Sequence, residues 1–191
     1  MTEKSTELNW QRIARRIRVP LGFAFAVLYL WLARPTLPSL GWSLLLVLPG
    51  LLLRAYASGY VKKNAELTTT GPYAYTRNPL YLGSMMMAFG FAAASRSILI
   101  FVVLTALFLL IYLPVIRSEE AYLRAHFAGF DDYASRVPRL LPRLTPVSSE
   151  ASSSGSFSSA LYRRHREYNA GMGALGIYAA LLLRLYFLHR K

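Results

Sequence analysis

Cysteine is absent from this 191-residue chain, which excludes disulfides and thiolate metal sites. Acidic residues are few: 9 Asp and Glu stand against 22 Lys and Arg, giving a net charge of +13. Charged residues of both signs make up only 16% of the chain, against 54% hydrophobic ones. That is too little polar surface for an ordinary soluble domain. Histidine is scarce as well. His126, His165 and His189 lie far apart and share no ligand spacing, so no metal site is expected.

Apolar runs fill the space that charge leaves. Residues 97–116, SILIFVVLTALFLLIYLPVI, carry no charge and meet the roughly 20 residues that a membrane helix needs. Residues 19–33, 40–60, 79–94 and 170–188 are shorter or interrupted stretches of the same kind. The pattern predicts an all-α polytopic membrane protein with about five transmembrane helices. Arg54 and Arg184 fall near the ends of the second and fifth spans, from where their heads are expected to snorkel to the lipid headgroups. The first span lacks a small-residue cleavage site, so it is expected to be retained.

The charge distribution assigns the sides. With the N-terminus inside, the inner segments hold Lys4, Arg12, Arg15, Arg16 and Arg18, then Arg54, Lys62, Lys63 and Arg77. The third inner segment adds Arg117, Arg124, Arg136, Arg139, Arg143, Arg163, Arg164 and Arg166, whereas the two short outer loops carry only Arg34 and Arg96. This is the positive-inside pattern. Arg190 and Lys191 fall on the outer side and run against it. The basic balance reflects topology and anionic lipid, and a nucleic-acid partner is not expected.

Four regions are expected. Residues 1–18 contain TELNWQRIARRIR, with Trp10, Ile13 and Ile17 on one helical face. They read as an amphipathic interfacial helix or as a plain extension of the first span. Residues 19–146 form the membrane core, 147–160 a Ser-rich and mobile linker, and 161–191 a basic segment with a last span outside the main unit. Within the core, Pro49-Gly50 interrupts the second span, and residues 117–135 form a helix at the cytoplasmic surface. GMGALG, Gly171 to Gly176, matches the dinucleotide-binding glycine pattern, but that pattern has meaning only between a strand and a helix. Here the small residues suit close helix packing in a membrane instead.

The polar chemistry gathers in two segments. GPYAYTRNPLYLG, residues 71–83, stands at the mouth of the third span, and RSEEAYLRAHFAGFDDYASRVPRLLP, residues 117–142, follows the fourth. A hairpin with a very short outer loop delivers both to one place. Pro79 fits the first position of a helix, whose exposed amides favour an anion. Arg77 can grip a carboxylate through two parallel hydrogen bonds, and the Tyr73 and Tyr81 rings suit a flat heterocycle or a cation. Glu119 and Glu120 are costly near a membrane without a cationic partner. Two readings stand on residue types alone: a site for a zwitterionic ligand with a flat ring, or a lock in which Arg77 or Arg117 clamps Glu119 or Glu120.

Both segments resemble the integral membrane methyltransferases that include isoprenylcysteine carboxyl methyltransferase and the phospholipid N-methyltransferases. The first match is carried by Gly71, Pro72, Tyr73, Arg77, Asn78, Pro79, Tyr81 and Gly83. The second is carried by Arg117, Glu119, Glu120, Leu123, Phe127, Tyr133, Val137, Pro138 and Pro142. Asn78 stands where eukaryotic members usually have histidine. The resemblance covers roughly residues 50–143 and implies a non-Rossmann, S-adenosylmethionine-dependent enzyme with its cofactor site facing the cytoplasm and a lipophilic substrate entering from the bilayer. It further implies cofactor contacts from Tyr73, Arg77, Asn78, Pro79, Tyr81, Gly83, Glu119 and Glu120. Glu119 and Glu120 are also assigned as catalytic, with Arg136 on an acidic group of the substrate. Carboxyl O-methylation of isoprenylcysteine type is the expected reaction, with phospholipid N-methylation, a nicotinamide-dependent reductase and a non-enzymatic scaffold as the alternatives.

Overall fold

A computed structural model describes residues 25–62, 65–147 and 155–189. The expected interfacial helix over 1–18 lies outside these residues, as do the start of the first span and 148–154 of the linker. Among the described residues every regular element is helical. The first helix, α1, is seen over 25–32. It is followed by α2 (Leu37–Ser58), a 3-10 turn (Gly71–Ala74), α3 (Pro79–Ser95), α4 (Ile98–Leu107), a π turn (Phe108–Tyr112) and α5 (Leu113–His126). Then come α6 (Phe130–Arg136), α7 (Ser159–Arg164) and α8 (Tyr168–His189).

Among the described residues, three helices are long and apolar enough to cross a membrane: Leu37–Ser58, the continuous rod Ile98–His126, and Tyr168–Leu188. The third expected span, α3, is an apolar helix of 17 residues, below the usual length. Its packing against α2 sets the centre of the fold. A Cβ on Gly50 would lie 2.7 Å from the Gly83 carbonyl oxygen, and one on Gly90 would lie 2.6 Å from Val47 Cγ2. Such contact of backbone with backbone needs residues without a side chain. Pro49 therefore does not interrupt the span as expected. The helix passes through it, and the neighbouring Gly50 faces α3.

Polar ties hold the far end of this pair. Thr36 and Ser39 form a reciprocal cap at the start of α2, and Ser39 Oγ also donates to the Ala94 carbonyl at 3.0 Å. The α3–α4 hairpin turns at Arg96, which adopts the left-handed conformation (φ 54°), and Ser97 caps α4 through the Ile100 amide. The expected tight loop at residues 95–97 is thus present.

Two expectations about the fourth and fifth spans need correction. Residues 117–135 are not a separate helix, because α5 continues the fourth span as far as His126. The π turn falls immediately before Pro114, whose missing N–H removes one helical donor and loosens the ladder there. Gly129 (φ 86°) then starts α6. The last helix is also no appendage: Ala174, Leu181 and Leu185 join Tyr29, Val47, Phe91 and Ile100 in the main apolar core, and Tyr178 Oη meets Ser43 Oγ at 2.7 Å. Arg184, near the end of this helix, donates to the Trp31 carbonyl at 3.1 Å.

The glycine contact yields a paired test. Gly50→Ala drives a methyl into backbone that cannot yield, whereas Gly41 has open space around it. Gly50→Ala should destabilise the detergent-solubilised protein by about 1–3 kcal/mol and Gly41→Ala should not, read from thermal unfolding of both variants.

Candidate active site at the first turn of α3

The site begins with a loop that has few internal hydrogen bonds. Residues 71–79 carry two prolines and a glycine at φ 59°, so their backbone finds partners elsewhere. The Arg77 amide donates to the Pro138 carbonyl at 2.9 Å, the Arg143 amide to Tyr75 at 3.0 Å and the Val147 amide to Ala74 at 3.1 Å. Thr76, buried, donates its hydroxyl to the Leu140 carbonyl at 3.0 Å. Tyr133 Oη reaches the Tyr73 carbonyl at 2.8 Å. Burial pushes the Tyr133 phenol well above its usual range, with Arg77 opposing and Glu120 adding to the shift, so the phenol stays a donor. The loop before α3 and the chain after α6 are therefore one interlaced unit.

Glu120 sits at its centre, with 7% of its side chain exposed. Arg139 Nε and Nη2 donate to one carboxylate oxygen at 3.0 and 2.8 Å. Asn78 Nδ2 donates to the other at 3.2 Å and also to the Arg139 carbonyl at 3.0 Å. Arg77 Nε lies 3.2 Å from that second oxygen without the alignment of a hydrogen bond, while its Nη1 donates to the Ala134 carbonyl at 2.9 Å. Its hydrogen bonds to Glu120 hold the Arg139 guanidinium above even its ordinary high pKa. Of the two readings open in the sequence, the arginine–glutamate lock describes Glu120.

Glu119 is different. It is exposed on α5, and one carboxylate oxygen accepts from Tyr81 Oη at 2.9 Å. The Tyr81 ring stands edge-on to Tyr112 of the π turn, with centroids 5.9 Å apart. No side chain caps the N-terminus of α3, because the Asn78 amide is engaged with Glu120. An uncapped helix start favours an anion, and an exposed carboxylate beside it favours a cation. The donor set accordingly fits a ligand carrying both charges.

Other sequence-predicted residues fall less directly at this mouth. Pro79 is buried as the first residue of α3, and Gly83 faces α2 rather than the opening. Tyr73 is buried, 8% exposed, so its ring is enclosed. Arg136 is exposed on α6 and pairs with Asp132 one turn back. Arg139, which the sequence reading did not single out, joins Arg77 at Glu120. Asp132 four residues before Arg136 signals that surface pair in the sequence, while Arg139 follows Pro138, where the chain turns back. Arg54, expected only to snorkel to headgroups, has protein partners instead: Nε and Nη2 grip Glu167 at 3.0 and 2.8 Å, and Nη1 donates to the Leu80 carbonyl and to Ser84 Oγ.

The stretch from Gly71 to Glu120 lies within a part of the chain that resembles known proteins. Residues 49–129 match the model of the phospholipid methyltransferase family. Among curated proteins, a nickel-cobalt-cadmium resistance protein, NccN, of Alcaligenes xylosoxydans xylosoxydans is 44% identical over 96 residues. A cobalt-zinc-cadmium resistance protein, CzcN, of Cupriavidus metallidurans is 40% identical over 90 residues. These matches cover 50% and 47% of this chain, and only 44% and 41% of the relatives. The chain thus spans less than half the length of the curated relatives it matches. No solved structure matches it.

The two glutamates should separate by experiment. Removing the charge of a buried carboxylate that holds two arginines costs about 3–5 kcal/mol, whereas an exposed one costs about 1 or less. Glu120→Gln should lower the thermal stability of the ligand-free protein markedly and Glu119→Gln scarcely, measured by unfolding in the same detergent.

Proposed function

We propose that this protein is an S-adenosylmethionine-dependent methyltransferase of the membrane whose acceptor is a lipophilic carboxylate of isoprenylcysteine type. The observation that carries the reading is the meeting of the two motifs at the first turn of α3, where Glu119 and the uncapped helix start lie side by side. When bound, the cofactor supplies an electrophilic methyl group on a sulfonium.

In this reading the chain's own residues bind and align. The amides at the start of α3 receive the ligand carboxylate, and Glu119, held by Tyr81, receives the ligand cation. Arg77 and Asn78, fixed by Glu120, set the loop before α3. Arg136, exposed and tied to Asp132, remains available to an acidic group of the substrate only by giving up that surface pair. Alignment of this kind can contribute on the order of 7 kcal/mol or more. A carboxylate acceptor is already ionised near neutral pH, so no general base is required. An amine acceptor must first lose a proton, and Glu119, engaged in this reading by the ligand cation, does not serve as its base. Phospholipid N-methylation is therefore the alternative, favoured by the family match over residues 49–129. On either reading, the metal resistance named for the two relatives would be served through a modified membrane component.

The site is assigned to the cytoplasmic face from the distribution of basic residues. Cysteines introduced at Arg96, in the α3–α4 turn, and at Leu144, fully exposed after α6, should react with an impermeant thiol reagent from opposite sides of sealed vesicles. Reaction from the same side would overturn the topology.

Calorimetric titration of the purified protein with S-adenosylmethionine and S-adenosylhomocysteine tests the cofactor. Labelled-methyl transfer to a prenylated cysteine peptide or to phosphatidylethanolamine vesicles then identifies the acceptor. Glu119→Gln should lower cofactor affinity by about 1.5–3 kcal/mol, roughly ten- to more than a hundredfold, with thermal stability retained. Unchanged affinity would reject this site.

A further inference from the structure

Arg54 stands on α2, yet all its polar reach is directed at two other elements. Its Nη1 takes the Leu80 carbonyl at 3.2 Å and the Ser84 hydroxyl, both on the first turns of α3. Its Nε and Nη2 take both oxygens of Glu167, at 3.0 Å from Nε and 2.9 and 2.8 Å from Nη2. The side chains are 23% and 12% exposed, so the pair is largely out of water, where the geometry of an arginine–carboxylate fork is rigid.

Glu167 is delivered to this point by a docked segment. The Ser158 amide donates to the Gly59 carbonyl at 2.9 Å, and His165 Nδ1 lies 3.0 Å from the Ser58 carbonyl. Arg166, in the left-handed region (φ 52°), then turns the chain into Glu167 and α8. The place reached belongs to the candidate site. Leu80 precedes Tyr81, the residue that holds Glu119. The buried Tyr73 phenol lies within electrostatic reach of Glu119, Glu167 and Arg54 together. It is raised above its usual range, first by burial, then by Tyr133 and by Glu119 and Glu167, with Arg54 opposing.

We propose that Arg54 and Glu167 form a positioning pair that sets the first turn of α3, and with it the Tyr81–Glu119 side of the ligand site. The chain beyond residue 129, where the family match ends, is on this view part of the active unit. Other ties between α2 and α8, such as Ser43 with Tyr178, hold the helices together but touch no residue of the site. Arg54 touches the turn that presents Tyr81. Without Glu167 its guanidinium has no counter-ion beside Leu80, and its preference is to turn towards water or headgroups.

The inference rests on the proposed methyltransferase reading, and two measurements keep the two apart. The first is S-adenosylhomocysteine titration of wild type, Glu167→Gln, Glu167→Asp, Glu119→Gln and the Glu119→Gln/Glu167→Gln double variant. Glu167→Gln should weaken binding about ten- to a hundredfold, the scale of a misplaced contact, and Glu167→Asp should restore part of it. The double variant should lose much less than the product of the two single losses, because both act through one contact. Wild-type affinity in Glu167→Gln, or losses that multiply, would overturn the pair's role. The second is amide hydrogen exchange without ligand, which should quicken over residues 80–84 in Glu167→Gln while residues 174–185 of α8 keep wild-type protection. If the wild type binds no S-adenosylhomocysteine, the methyltransferase reading fails and the exchange comparison alone decides the pair. Unchanged exchange over 80–84 would then reject it.

Discussion

One buried carboxylate organises the polar half of this protein. Glu120 on α5 receives Asn78 from the start of α3 and Arg139 from the chain after α6, with Arg77 against the same oxygen. Three segments distant in sequence therefore share one counter-ion in a site with little water. Desolvating a carboxylate costs several kcal/mol, and only a full set of donors offsets it. The arrangement is consequently close to all-or-none. If any one segment leaves, the remaining charges lose their partners, which favours a single geometry for the loop before α3.

The apolar half prepares that meeting. Gly50, Gly83 and Gly90 let α2 and α3 approach to backbone contact, and the tight turn at Arg96 sends α4 back alongside α3. The motif at the start of α3 and the motif at the end of the fourth span must then emerge at the same end of the hairpin. Chemistry at the mouth follows from packing in the bilayer.

Much of this was legible from residue order because the decisive constraint is topological. Two motifs at the free ends of one hairpin have to meet, so Asn78 near Glu120 and Tyr81 near Glu119 follow once the hairpin is recognised. Arg139 was harder to read. RVPRLLP offers Arg136 and Arg139 within one turn, and the choice depends on how the chain bends at Pro138. Tyr73 was read as an open ring face because sequence shows the aromatic type but not its burial. Glu167 was out of reach altogether: its partner lies 113 residues away, beyond the Ser-rich linker, and no periodicity links the two. The membrane core was legible as hydropathy, whereas its polar closures were not, because side-chain pairing across a long gap leaves no local trace.

The rod Ile98–His126 has one further consequence. At 29 residues it is about 43 Å long, longer than the roughly 30 Å hydrocarbon layer it enters. Glu119 and Glu120 ride on the part that projects. The uncharged part of the rod, residues 98–116, is about 28 Å long and matches that layer, so the polar residues from Arg117 onward begin where the hydrocarbon ends. The rod thus sets by its own length the depth at which Glu119 and Glu120 meet the mouth of α3.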